Sequence, residues 1–450
     1  MKMLVFPISQ RKFELYGLAL EHGPNFEPYI LCSPWMSEDQ VSVGALLVRP
    51  DTNDYGVVVL RRQIDHRFVV THQERSLKSE MEALSRLTDA MRVGEAPESL
   101  LPGSKKRQLL LAPGKKKTSN YFKLLTSTIE HWPALLAVGE IYLAMPNPDH
   151  NFVPDFQTGN FSSRLWELYL LACFREQGIH VAQQHSSPDF YLSRNGYECY
   201  VEAVTANPIG PKLDCFTVPP GAPKDRAQRL LGPSATRFAK TLRSKLQQNY
   251  EDLAHVRGKP FALALADFHA PGSLVWSRES LPSYLYGLDI KVVETAAGRK
   301  AVADKMETLP GEEKIPAGLF RERSMSHLSA VLFSNAATLA KFNRMGYLAG
   351  ARPPNLKMIR NGHLYDRTPG ALESIPFELD ISSDEYAALW PGGEAWCQEL
   401  EVFHNPLAEY PIDLDLFPGA THWFECDGEV VCSSMWQWSV LSSVTTLIAQ

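Results

Sequence analysis

The chain has 450 residues, 44% hydrophobic and 21% charged, which is the balance of a folded globular protein and excludes a disordered or fibrous one. One domain per roughly 150 residues implies two or three units. A net charge of −6 excludes a protein that coats nucleic acid through its overall charge, so any such binding needs a local basic surface.

The opening MKMLVFPISQ carries an apolar run too short for a signal segment, and no apolar stretch reaches the roughly eighteen residues that span a bilayer. The expectation is a protein that neither enters nor crosses a membrane. Seven cysteines, odd in number and without a C-x-x-C pair, suggest neither a disulfide framework nor a zinc knuckle and fit a reducing cytoplasm.

From Val41 to Glu74, three β-branched segments (VSVGALLV, GVVVLRR, RFVVTHQ) separated by turn residues predict a small antiparallel meander. Ser76 to Met91 then places Leu77, Met81, Leu84 and Leu87 at helical spacing, predicting a helix over one face of that sheet. Glu98 to Asn120 reads as a connector with basic clusters at Lys105–Arg107 and Lys115–Lys117, which could touch phosphates. It is not a phosphate-binding loop of the G-x-x-x-x-G-K-[ST] kind, because Leu109 stands where the first glycine belongs.

Beyond Gly159 the pattern becomes α, β, β, β, α, β. Asn160 to Gln177 predicts a helix stopped by Gly178, and Ile179–Gln184, Asp189–Leu192 and Tyr197–Val204 predict strands, the last two joined by a turn at Ser193–Gly196. Pro233 to Leu253 predicts a second helix. The run FALALA at Phe261–Ala266 suits a central strand covered on both faces. Leu328 to Arg344 combines an apolar run with a helix-like segment, and Glu373 to Gln450 is rich in Pro, Trp and polar turns. The expected organisation is an α/β (α+β overall) chain: residues 1–120 a β-meander and helix with a basic connector, 121–290 a mixed-sheet core flanked by helices, and 291–450 a C-terminal accessory region.

Within the core, Glu167 shares a helix face with Leu170, Leu171 and Phe174 and therefore points inward. An ionised carboxylate there requires a partner, the plain alternative being a buried pair with an arginine or hydroxyl. Asp189 follows Pro188 at the entrance to one strand, and Glu202 lies late in its hairpin neighbour, so a hairpin can bring the two together. Gathered carboxylates raise one another's pKa and usually hold a divalent cation, and hard oxygen ligands suit magnesium or manganese.

This order of residues resembles the PD-(D/E)xK, or restriction-endonuclease-like, nuclease superfamily over about 110 of the 450 residues: a helical Glu (Glu167), a Pro-Asp at one strand (Pro188–Asp189) and a Glu on the next (Glu202). Pro154–Asp155–Phe156 repeats the wording of Pro188–Asp189–Phe190 but precedes the helix and lacks a following acidic strand. Where the family pattern has a lysine two residues after the glutamate, this chain has Val204. Lys245, on a stripe with Phe238, Leu242 and Leu246, is the replacement that the resemblance suggests, offered from the second helix, the plain alternative being a lysine that snorkels to the surface; Lys240 falls on the opposite side. The resemblance implies a Mg²⁺- or Mn²⁺-dependent phosphodiesterase acting on DNA or RNA, with Asp189, Glu202, Glu167 and the Ala203 carbonyl as metal ligands and Lys245 completing the catalytic set. Defence against foreign nucleic acid under a regulatory protein partner is the extension of that reading. Gln183 and Gln184 are secondary candidates for orienting water or phosphate, and His66, His72, His180 and His185 show no metal-ligand spacing. The rivals are a nuclease-fold module that only binds nucleic acid or a protein, and a structural subunit whose acids pair with arginines such as Arg164 and Arg243.

Overall fold

The computed structural model describes residues 3–92, 107–110, 117–208, 222–296, 298–311, 313–368, 370–390, 392–427 and 429–449. It is an α+β structure built on one mixed sheet and separate antiparallel sheets.

The first unit consists of β1 (Val5–Pro7), α1 (Gln10–Gly17), β2 (Ile30–Ser37), β3 (Ser42–Arg49), β4 (Asp54–Arg62), β5 (Phe68–Leu77) and α2 (Glu80–Arg92). The five strands pair antiparallel in sequence order, so the expected meander is there, lengthened by β1 and β2. The covering helix starts later than its periodicity suggested. Ser79 caps it, its hydroxyl accepting the Glu82 N–H and its carbonyl the Ala83 N–H. The inward stripe is therefore Ala83, Leu87 and Met91, whereas Leu77 closes β5 and Met81 is 83% exposed.

Four helices follow: α3 (Asn120–Ser127), α4 (Trp132–Ala144), α5 (Phe152–Gln157) and α6 (Phe161–Glu176). The expected basic clusters fall outside the described residues except for Arg107 and Lys117. The Arg107 guanidinium donates to the carbonyls of Leu143, Met145 and Pro146 at the end of α4, structural work that suits the connector reading of this segment.

The core continues through β6 (His180–Ala182), β7 (Phe190–Arg194), β8 (Tyr197–Ala206), α7 (Arg226–Leu231), α8 (Pro233–Leu246), β9 (Phe261–Asp267), α9 (Ser280–Tyr286) and the hairpin β10 (Leu288–Thr295) and β11 (Gly298–Lys305). Then come β12 (Ala330–Phe333), α10 (Leu339–Leu348), β13 (Leu356–Leu364), β14 (Ile375–Asp380), α11 (Asp384–Leu389), β15 (Glu401–His404), β16 (Thr421–Cys426), β17 (Glu429–Ser434) and β18 (Val440–Ala449). The main sheet has eight strands in the order β17-β16-β15-β12-β9-β8-β7-β6. Residues beyond 291 thus extend the core sheet itself, while β14-β13-β18 form a sheet of their own.

The alternation in β9 explains how two helices sit on this sheet. Phe261, Leu263 and Leu265 pack on one side with Phe238, Leu242 and Leu246 of α8. Ala262, Ala264 and Ala266 face the other side, where their small size admits α6; the Trp166 indole N–H donates to the Ala264 carbonyl at 2.9 Å. Every residue of β9 is buried. The helix–hairpin–helix–strand order expected from the sequence is realised, with the two helices on opposite faces.

Candidate active site

Asp189 lies one residue ahead of β7, and Glu202 lies inside β8. Phe190 pairs with Val201 in the antiparallel register, so Asp189 falls opposite Glu202 at a point where β7 has not yet begun. The edge of β8 is open there, and Asp189 Oδ2 accepts the Ala203 N–H at 2.8 Å. Tyr200 N–H donates to the Pro260 carbonyl and Phe268 N–H to that of Ala206, so the even-numbered residues of β8 bond to β9. Ala203 consequently turns both its N–H and its carbonyl towards Asp189.

Glu202 projects to the α8 face, which it shares with Tyr200 and Val204. Lys245 reaches it from the last turn of α8, Nζ donating to Oε1 at 2.7 Å, with side-chain exposures of 32% for the lysine and 8% for the glutamate. The inward stripe read for Lys245 is therefore correct. Ser187 donates to Glu202 Oε2 at 3.4 Å. Tyr250 lies beside the same carboxylate: burial and then Glu202 push its phenol well above the ordinary tyrosine range. His255 bonds the Ser187 carbonyl through Nε2 at 3.0 Å and stacks on His185, ring centroids 3.7 Å apart.

Glu167 approaches from the α6 face. Its carboxylate accepts from Arg164 Nη1 at 3.0 and 3.3 Å, while Arg164 Nη2 donates to Asp149 and Asp155, both at 2.8 Å. The Pro154–Asp155–Phe156 tripeptide thus takes part after all, by helping to fix the arginine that fixes Glu167. Arg243, the other arginine considered, pairs with Glu322 and not with the acids of the site.

The electrostatics follow from this packing. Burial, then Asp189, pushes Glu167 up to about 8 against the pull of Arg164. Burial, then Glu202, pushes Asp189 up to about 7 against the Ala203 N–H and Lys245. Arg164 and Lys245 leave these two carboxyls under-compensated, and both stay raised above the ordinary carboxylate range.

Among the described residues, no group of three or more His, Cys, Asp or Glu side chains is placed to hold one metal ion. Glu167, Asp189 and Glu202 therefore do not gather as one side-chain ligand set, contrary to expectation: Glu202 faces α8 and Lys245, while Glu167 approaches from α6, tied to Arg164 and repelled by Asp189. The donors left at the open edge are the carboxylates of Asp189 and Glu202 and the Ala203 carbonyl. All are hard oxygens, a set that fits magnesium or manganese completed by solvent.

Of the weaker candidates, Gln183 is occupied with Asn147, its side-chain oxygen accepting the backbone N–H at 3.3 Å, and Gln184 is exposed. Ser187, Tyr250 and His255 escaped the sequence reading. Ser187 could have been suspected from its place beside Pro188–Asp189. Tyr250 and His255 come after α8 has ended, where no periodicity remains to place them.

No family model, curated protein or solved structure matches this chain. No helix among the described residues is long and apolar enough to cross a membrane. The class shown is an α+β protein with a mixed sheet.

Proposed function

We propose that the protein is a metal-dependent nuclease of the PD-(D/E)xK kind, hydrolysing phosphodiester bonds of DNA or RNA. The observation that carries this reading is the 2.7 Å contact from Lys245 to Glu202, which returns a positive charge to the place where Val204 withholds it. Asp189, Glu202 and the Ala203 carbonyl are the groups that would bind Mg²⁺ or Mn²⁺. Such an ion, when bound, polarises the phosphate and acidifies the attacking water. Lys245 offsets negative charge as it grows on the phosphoryl oxygens. Glu167, held by Arg164 at 3.0 Å, would orient the attacking water.

The test is cleavage of single- and double-stranded DNA and RNA with Mg²⁺, Mn²⁺, Ca²⁺ or chelator, with Asp189→Ala alongside. Fragments should appear only with Mg²⁺ or Mn²⁺, and not with the variant. Equal cleavage by both proteins would expose a contaminant, and no cleavage together with no calorimetric Mg²⁺ binding would remove the assignment.

Val204 and the missing third side-chain ligand favour a second reading, a nuclease-fold module that binds nucleic acid or a protein without cutting. It requires salt-sensitive polynucleotide affinity or capture of a protein partner, with no turnover under any metal. On the first reading the enzyme needs restraint by a partner protein, in keeping with a role in defence against foreign nucleic acid.

A further inference from the structure

A second feature lies at the end of α8 away from Lys245, about 16 Å along the helix axis. A cavity of about 580 Å³ opens there between α7, the first turns of α8, His269 and Pro310–Gly311. Ligand pockets commonly measure about 300–1,000 Å³. The described residues that line it include two cations, Arg237 and Lys240, and no carboxylate. A concave wall of one charge sign concentrates its field on whatever enters.

Three polar side chains of this wall are unengaged. Those of Arg237, Thr236 and Gln228 hydrogen-bond with no described residue, and Arg237 is in no ion pair among them. Neighbouring arginines behave differently: Arg243 is tied to Glu322 and Arg278 to Glu401. Helical side chains lean towards the N-terminus, so half-buried Arg237 leans back to the turn of Ser234. Lys240 is held at the rim by Glu313 at 2.5 Å.

His269 stands next to that turn, its Nε2 3.5 Å from the Ser234 hydroxyl. The ring is fixed from behind. Nδ1 bonds Asp267 Oδ1 at 2.7 Å, Asp267 Oδ2 accepts the Ser277 hydroxyl at 2.5 Å, and Phe238 and Trp276 meet the imidazole edge-on. Asp267 is fully buried, whereas the imidazole keeps 9% of its surface exposed and belongs to the cavity wall. A carboxylate on Nδ1 sets the orientation of the ring and leaves Nε2 for a ligand.

We propose that this cavity binds a small phosphate monoester. Arg237 grips two phosphate oxygens with its fork, Thr236 and Gln228 donate to the third, and His269 Nε2 shares a proton with the phosphate. A carboxylate, with two oxygens, would be served by the guanidinium alone and would leave the other donors idle. A free sugar phosphate and the phosphorylated end of a nucleic-acid strand share the chemistry that remains. The site uses none of the groups of the acidic cluster, so it stands whether or not that cluster binds a metal.

The test is calorimetry on the full chain with ribose 5-phosphate, ribose and a 5′-phosphorylated oligodeoxynucleotide, in chelator so that no metal at the acidic cluster holds the phosphate. Ribose 5-phosphate should bind saturably and ribose should not. Binding of the oligonucleotide as well identifies a strand end as an occupant, and binding of the sugar phosphate alone identifies a free metabolite. Arg237→Gln removes no contact with a described residue, so it should leave Tm unchanged while weakening binding by at least about tenfold. Arg237→Lys keeps the charge without the fork and should recover only part of the affinity. His269→Gln should weaken binding several-fold. No saturable binding of ribose 5-phosphate, equal binding of ribose, or unchanged affinity in Arg237→Gln would overturn the proposal.

Discussion

Two regions of this molecule bury clustered charge, and they do so in opposite ways. In the C-terminal part, Lys341, Arg344 and Arg360 surround Glu394 and Glu399 in the interior, all of them at most 3% exposed as side chains. Lys341 Nζ reaches Glu394 at 2.7 Å and Glu399 at 3.1 Å, and Arg360 Nη2 reaches Glu399 at 2.5 Å. Burial alone would raise Glu394, but Arg344, Lys341 and Arg360 together hold it well below the usual carboxylate range. Around Asp189 the balance is reversed: burial and like charge dominate, and the carboxyls are raised. A cluster whose cations complete it fastens α10 to β13 and the segment before β15. A cluster short of cations is a place where one can be added. Residue types alone do not distinguish the two; the ratio of partners does.

The largest expected effect is on the closed cluster. Glu394→Ala would leave three buried cations facing one carboxylate and should cost roughly 3–5 kcal/mol, read as a lowered urea midpoint. A loss below about 1 kcal/mol would show that the network is solvated and the contrast false.

Next is Lys245→Ala, which on the proposed function should lower cleavage by about 10²–10³-fold while leaving the calorimetric Mg²⁺ affinity intact, because the lysine would act as a charge stabiliser and not as a ligand. Lys245→Arg should recover part of the rate. Full activity in the alanine variant would reduce the Lys245–Glu202 contact to a simple ion pair and move the site towards the non-cutting reading.

A smaller effect concerns pH. Folded Asp189 and Glu167 hold protons up to about 7 and about 8, whereas the unfolded chain loses them in the ordinary carboxylate range. The native state therefore binds more protons across that window, and stability is lost as pH rises through it. In chelator, Asp189→Asn should raise Tm at pH 8 more than at pH 5, and Mg²⁺ should stabilise the wild type mainly at pH 8. An equal loss at both pH values would mean that the Ala203 N–H contact, not charge, is what Asp189 contributes.

The smallest is a control on the opposite side of α8. Lys240 pairs with Glu313 in an exposed bridge at 2.5 Å. Lys240→Ala should change stability by about 0–1 kcal/mol and cleavage not at all. A rate loss matching that of Lys245→Ala would show that proximity within α8 counts for less than overall basic charge.

Local sequence determined the elements around the site. The apolar run at Phe261–Ala266, the turn at Ser193–Gly196 and the stripe bearing Lys245 each depend on a period of two or 3.6 residues and on nearby turn chemistry, so they are legible before folding. Only the tertiary structure decided which charges meet. It placed Glu167 across the sheet from Glu202 and gave it Arg164, because α6 and α8 cover opposite faces of β8. It made residues beyond 291 part of the main sheet, since β12 pairs with β9 across a sequence separation that no local pattern encodes. It also brought Tyr250 and His255 to Glu202 and Ser187, through a chain reversal after α8. Periodicity fixes the face a side chain takes on its own element, whereas the partner on that face is chosen by long-range packing, and a carboxylate becomes a salt bridge or an open site according to that partner.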